Sequence, residues 1–185
     1  MVSQFVSPHT VRLLGDLDFN FPEGIHAVGR LDNHSEGLLI LTTNKKVTRL
    51  LFQGDKPHKR LYLVQVKNIV TETALLALQS GINIRIKGGE SYTTPACEVS
   101  RVSDPKPFYT FENGLAEYGP ATWLLITLME GKYHQVRKMV AAIGHRCKRL
   151  IRISIEGLSL EDLAPGKIKE LEETEFFKLA NIAKQ

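Results

Sequence analysis

An α+β fold is what the sequence predicts, on three observations. Short runs rich in β-branched and aromatic residues read as strands, and they are interspersed with capped segments that carry apolar residues at helical spacing. The length, 185 residues, suits one domain or a small two-lobed one. The hydrophobic fraction, 43%, is enough to fill a core and argues against global disorder.

The elements follow in order. Pro8-His9-Thr10 opens a short helix through Val11, Leu13 and Leu14, stopped by Gly15. Ile25 to Val28 is a short strand running into Gly29. Leu38 to Leu41 are all apolar, as in a strand buried on both faces. Asn44 caps a helix through Val47, Leu50 and Leu51. A basic turn, Pro57-His58-Lys59-Arg60, leads into a strand from Leu61 to Val66. Thr71 or Thr73 caps a helix with Leu75, Leu76 and Leu78 on one face, stopped by Gly81. Ile82 to Ile86 and Cys97 to Val102 read as strands, with a turn at Lys87-Gly88-Gly89 after the first. Pro105, Pro107, Gly114, Gly119 and Pro120 mark 103–121 as a long loop. Trp123 to Leu128 is a strand, Gln135 to Ile143 a short helix ended by Gly144, and Lys148 to Ile153 another strand. A last helix from about Glu172 carries Phe176, Phe177, Leu179 and Ile182.

Composition narrows the function classes. No apolar run approaches the length a membrane span needs. The start, Met1-Val2-Ser3-Gln4-Phe5, lacks the basic and apolar parts of a secretory signal. Cys97 and Cys147 are the two cysteines, without metal-type spacing, so a reduced, cytoplasmic protein is expected. The net charge is +4 but unevenly spread. Glu130 to Arg152 holds seven Lys or Arg against one acid, a net of +6, whereas Glu156 to Gln185 comes to −3. A basic run is often only a solvated face. This one coincides with a turn and a strand, which favours a surface for a polyanion.

The stretch Gly29-Arg30-Leu31-Asp32-Asn33-His34-Ser35-Glu36-Gly37 is a polar loop set against an apolar run. Catalytic groups tend to sit on loops carried by a rigid strand. Taken alone, Asp32 has an ordinary explanation, since Asp often bonds its own backbone in a turn. The wider pattern reverses that reading. Gly29-Arg30-Leu31-Asp32 with Ser35-Glu36-Gly37-Leu38-Leu39 resembles the catalytic motif of the RNA pseudouridine synthases of the ribosomal small-subunit synthase A type. Glu130-Gly131-Lys132 with Gln135-Val136-Arg137-Lys138-Met139 resembles their second hallmark, and Arg149-Leu150-Ile151-Arg152 their third. Leu163-Ala164-Pro165-Gly166 resembles their terminal turn. The expected branch is large-subunit synthase E, which these residues resemble in showing no S4-like RNA-binding module ahead of the loop. An Asn-Lys-Pro strand usual in the family is also absent ahead of the loop.

The resemblance implies a mixed, mainly antiparallel bent sheet with flanking helices, one catalytic domain over 1–185, and a cleft between two lobes. It implies isomerisation of a uridine in RNA, with ribosomal RNA of the large subunit as substrate, no cofactor, no metal, no membrane partner, and a monomer. It assigns Asp32, Tyr62 and Arg137 to catalysis, with Arg137 the ion-pair partner that keeps the Asp32 carboxylate charged. Leu150 would wall the base pocket and Arg30 would fill the space a flipped uridine leaves. Gln135, Lys132, Lys138, Lys148, Arg149 and Arg152, with Arg146, are expected at the substrate, the basic ones on phosphates. Two other readings compete. One is an RNA-binding module that keeps the fold without catalysis. The other is a metal-dependent phosphoesterase using Asp32, His34 and Glu36, whose spacing permits it although a second cluster is missing.

Overall fold

The computed structural model describes residues 1–52, 56–109 and 119–183. In chain order it has strand β1 (His26–Val28), β2 (Glu36–Gly37), β3 (Ile40–Thr42), helix α1 (Lys46–Phe52), β4 (Arg60–Lys67) and α2 (Glu72–Ser80). There follow β5 (Asn83–Arg85), β6 (Ser91–Thr93), β7 (Val99–Val102), β8 (Ala121–Leu128), α3 (Gln135–Ala142), β9 (Cys147–Ile155), β10 (Leu158–Ser159) and α4 (Glu173–Leu179). No helix among the described residues is long and apolar enough to cross a membrane.

The central sheet runs β10-β9-β4-β8-β7, antiparallel at every step. β4 lies in its middle, paired with β8 from Arg60 to Lys67 on one side and with β9 from Arg60 to Val66 on the other. The outer edge of β9 is shared. β10 opposes Ile155 and Ser154, and β2 runs parallel to β9, with Glu36 beside Ile151 and Gly37 beside Arg152. Two small hairpins, β1 with β3 and β5 with β6, complete an α+β architecture that is mixed and mainly antiparallel, as expected.

Strand alternation divides the core. On one face Val64 and Val66, Leu124, Ile126 and Leu128, and Leu150 pack on Leu75 and Leu78 of α2 and on Val136, Met139 and Val140 of α3. On the other, Leu63, Ile151 and Ile153 pack with Tyr109 and Leu160. A third cluster, Val28, Ile40, Val47, Leu51, Ile155, Leu158 and Phe177, ties the β1–β3 hairpin, α1 and α4 to the end of the sheet. The predicted caps act locally. Asn44 Oδ1 accepts from Lys46 N at 3.0 Å, and Thr71 Oγ1 accepts from Ala74 N at 3.2 Å.

Two expectations need correcting. The helix through Val11 is not formed. Val11 is exposed and only Leu14–Asp16 makes a single 3-10 turn, because just Leu14 finds the core. Leu38 to Leu41 is not a strand buried on both faces. The chain leaves β9 after Gly37 and joins β1 at Ile40, and only Ile40 of the four is fully buried. Residues 110–118 of the predicted long loop lie outside the described residues.

Gly37 is where the loop meets the sheet. Its φ is +99°, and a Cβ there would lie 2.3 Å from the Arg152 carbonyl oxygen. Gly37→Ala should therefore both strain the backbone and prise β2 from β9, lowering stability by about 2 kcal/mol or more. Denaturant unfolding checks this, and an unchanged midpoint would remove the close approach from the account.

Candidate active site

The loop between β1 and β2 is anchored at both ends. At its start Gly29 has φ +73°, and a Cβ would come within 2.9 Å of the Phe52 ring. Leu31 is tied to Ser3, whose hydroxyl accepts from Leu31 N at 2.9 Å and donates to Leu31 O at 3.1 Å. In its middle Ser35 N donates to Asp32 O at 2.8 Å, closing a turn. At its end the Glu36 carboxylate takes a two-point bond from Arg149, Nε to Oε1 at 2.9 Å and Nη2 to Oε2 at 2.8 Å. The Tyr109 hydroxyl also donates to Glu36 at 3.5 Å, and the Arg149 guanidinium lies 5.1 Å from the Tyr109 ring centre. The bond to Glu36 raises the Arg149 pKa, and burial first, then Glu36, raises that of Tyr109.

The segment entering α3 packs against this loop. Glu130 accepts from the Tyr92 hydroxyl at 2.5 Å and from Gln135 Nε2 at 2.7 Å, and Gln135 Oε1 in turn accepts from Lys132 N at 2.8 Å. The Tyr92 phenol is pushed up to about 12, mainly by its bond to Glu130. His134 caps the helix in the left-handed region, φ 54° and ψ 31°, and stacks on Tyr133 at 3.9 Å. In that posture its Nε2 lies 3.5 Å from Asp32 Oδ1. A non-glycine residue held there costs free energy and is commonest at functional sites. One turn on, Arg137 donates to the His34 carbonyl and, at 3.4 Å, to the Ser35 hydroxyl.

These pieces enclose a cleft of 580 Å³. Asp32 stands on one side, its side chain one-third exposed. Tyr62 from β4 and Leu150 from β9 form the sheet side, and Arg30 and Lys132 sit at the exposed rim. Tyr62 is paired directly across from Arg152, so the two side chains share a face. Arg152 is 5% exposed, donates from Nε to the Leu38 carbonyl at 2.9 Å, and leaves Nη2 buried without a partner. Arg60, 8% exposed, lies 4.5 Å from the Phe52 ring centre and leaves Nε unpartnered. Burial pushes both guanidiniums down from the ordinary arginine value. Tyr62 and Asp32 pull Arg152 back up, and Tyr62 and Glu130 do so for Arg60.

Of the residues expected at the site, Arg30, Asp32, Tyr62, Lys132, Gln135, Leu150 and Arg152 line this one cleft. Four assignments change. Arg137 does not pair with Asp32 here. Its guanidinium is committed to the backbone and hydroxyl of His34 and Ser35, and the cation within 4 Å of the carboxylate, among the described residues, is His134 when protonated. Gln135 is 4% exposed, with both ends of its amide bonded to protein, so it shapes the turn rather than reading a substrate. Arg149 holds Glu36 through Nε and Nη2, on the sheet face away from Leu150, and leaves Nη1 buried without a partner. Arg152 is too deep to meet a phosphate. Lys138 lies 4.9 Å from the Tyr133 ring centre, and Lys148 is half-buried on β9; neither lines the cleft. Because Glu36 is held by Arg149, Asp32, His34 and Glu36 do not form a metal cluster. His134 and Arg60 were missed. The signal for His134 was its place inside the second hallmark, and for Arg60 its i, i+2 relation to Tyr62 on one strand.

Comparison with known proteins gives a consistent picture. Residues 9–142 match the RNA pseudouridylate synthase family. Ribosomal large subunit pseudouridine synthase E of Vibrio vulnificus (strain CMCP6) is 36% identical over 175 residues, which cover 92% of this chain and 70% of the relative. The enzyme of the same name from Vibrio parahaemolyticus serotype O3:K6 is 34% identical over 152 residues, covering 80% of this chain and 60% of that protein. A crystal structure of a pseudouridylate synthase superposes with a TM-score of 0.69 at 27% identity, over 87% of this chain and 63% of that one. The chain thus spans between 60% and 70% of the length of these relatives.

The Glu36–Arg149 bond predicts a coupled pair. Arg149→Met and Glu36→Gln should each cost about 1–3 kcal/mol, the value of a hydrogen bond to a charged group left unmade. The double variant should cost less than the two summed, because each alone strands the other partner. A double-mutant cycle by denaturant unfolding measures the coupling, and strict additivity would mean that the bond does not anchor the loop.

Proposed function

The chain belongs to the RNA pseudouridylate synthase family, and from that premise we propose that it isomerises a uridine of RNA to pseudouridine, with large-subunit ribosomal RNA as the substrate. The observation that carries this is convergence. Asp32, Tyr62 and Leu150 come from segments 30 to 118 residues apart and meet in one cleft open to solvent. The names of the relatives support the choice of RNA.

The reaction breaks the N1–C1′ bond, turns the base and makes a C5–C1′ bond. Atoms and electrons balance within the nucleotide, so this reading calls for no cofactor. Asp32 supplies the carboxylate, either attacking C1′ or taking the 2′ proton to leave a glycal. Tyr62 lies against the flipped base, with its hydroxyl in reach of proton transfer at C5. Leu150 supplies the apolar wall. Arg30, at the rim, occupies the gap in the RNA stack. Arg137 acts as a positioning residue, holding His34 and Ser35 beside Asp32. Lys132, Lys138, Lys148 and Arg146 form the phosphate-facing surface. We read the whole chain as one catalytic unit of two lobes, acting as a monomer in the cytoplasm.

Asp32→Asn keeps the shape and removes the charge. No pseudouridine should form at the target in a large-subunit ribosomal RNA transcript, whereas RNA affinity should stay within about tenfold because phosphate contacts dominate it. Position-by-position pseudouridine mapping reads the outcome, and appreciable product from the variant would defeat the role of Asp32. Substrate binding should also weaken with salt. About four phosphate contacts give a log–log slope near −3, from roughly −0.7 per contact on single strands. Charge reversal at Lys132 and Arg146 together should flatten that slope to about half. Reversal at Lys169 and Lys178, in the acidic C-terminal part, should leave it unchanged. Equal effects from both pairs would put the RNA elsewhere.

A further inference from the structure

The floor of the cleft holds a cation that the reading above does not use. Arg152 lies deep in the sheet, its Nε fixed on the Leu38 carbonyl and its Nη2 buried without a partner. Tyr62 and Asp32 offset only part of the cost of burying it, and natural structures keep such a charge where something else meets it. Arg60 lies two residues along β4 from Tyr62, on the same face as Tyr62 and Arg152, and is also short of a partner at Nε. Gly131 leaves room for it, since a Cβ there would come within 2.8 Å of Arg60 Nη1. Two donor-only cations thus flank the tyrosine against which the base would lie. Asp32 lines the same cleft with its side chain one-third exposed, whereas Arg152 is 5% exposed.

We propose, resting on the function argued above, that Arg152 is a catalytic residue whose guanidinium, backed by Arg60, stabilises the uracil anion released when the glycosidic bond breaks. The N1–C1′ bonding pair leaves with the ring, which becomes an anion spread over N1, O2 and O4. Asp32 meets the electron demand at C1′ by forming a C1′–O bond, or by taking the 2′ proton as a C1′–C2′ double bond forms. After the ring turns, C5 gives its electron pair to C1′ as the C1′–O bond breaks and frees the Asp32 carboxylate, or as Asp32 returns the proton to C2′ of the double bond. The C5 proton is then lost and N1 is protonated. A carbonyl oxygen bonded to Arg152 gains charge as N1 leaves and loses it as C5 attacks. The interaction is therefore strongest in the cleaved state, where it lowers the barrier. Guanidinium can only donate, so it suits a uracil carbonyl oxygen and opposes the amino group of cytosine at the same place.

The test compares leaving groups. A large-subunit ribosomal RNA is assembled by ligation so that the mapped target alone carries a labelled uridine or 5-fluorouridine. Fluorine withdraws electrons and stabilises the ring anion by itself, so the cation matters less. Single-turnover loss of the target nucleoside reads bond breaking with either base. Arg152→Met, neutral and similar in length, should lose about a hundredfold or more on uridine and no more than about tenfold on 5-fluorouridine, each relative to the wild type. Arg152→Lys keeps the charge without the fork and should show the same contrast with smaller losses. It carries the test alone if Arg152→Met does not fold. Equal losses on both bases would mean that Arg152 only holds the sheet or Asp32, and would overturn the inference while leaving the proposed function intact. A wild type that consumes neither base would instead remove the proposed function, and this inference with it.

Discussion

The geometry of the cleft depends on two residues of parallel pairing. Glu36 and Gly37 lie along Ile151 and Arg152 at the outer edge of β9, and Leu38 N donates to the Arg152 carbonyl at 2.8 Å. β9 is in turn locked to β4 by a ladder from Arg60 to Val66. The position of Asp32 relative to Tyr62 is therefore set by backbone hydrogen bonds through three strands, with no side-chain contact between the two required. Only glycine can make the closest approach, because any Cβ at position 37 would enter the Arg152 carbonyl. A loop carried on so short a strand would fray alone. The bidentate bond from Arg149 to Glu36 holds it from the opposite face of the sheet.

Arginines divide the electrostatic work by depth. Arg149 neutralises a carboxylate and anchors the loop. Arg137, half-exposed, braces the backbone at His34. Arg152 and Arg60 lie deepest, and each of them, like Arg149, keeps one buried donor unspent. Desolvation works against a buried cation, and here neighbouring oxygens of Tyr62, Asp32 and Glu130 offset part of that cost. The unspent part is the potential that a departing anion would meet.

The turn before α3 adds a second kind of stored energy. His134 is held at positive φ, braced by its stack on Tyr133 and by the Glu130–Gln135–Lys132 bonds around it. The posture brings an imidazole rather than a guanidinium to Asp32. Glu130 thereby links the rim of the cleft to the β5–β6 hairpin through Tyr92. The second hallmark is thus mostly a scaffold that shapes the entrance, with Lys132 left at its exposed edge.

Much of this was legible in the residues in order. The polar loop with Asp32, the strands at Arg60–Lys67, Ala121–Leu128 and Cys147–Ile155, and the capped helices after Asn44 and Thr71 are local matters of periodicity and turn chemistry. Partner choice is not local. Nothing in Ser35-Glu36-Gly37-Leu38 announces that two residues pair with β9 and the next strand with β1, and that switch is why the apolar run after the loop is half-buried rather than central. The arginines divide for the same reason. Arg149 and Arg152 are three apart on a strand, so they face opposite sides of the sheet. Only the tertiary structure decided that one side carries Glu36 and Tyr109 while the other closes the cleft. The sequence by itself determined that a carboxylate, a tyrosine and a leucine stand on strands or beside them. Strand pairing and burial decided which cation meets each of them, because the cost of desolvating a charge exists only once the sheet has closed over it.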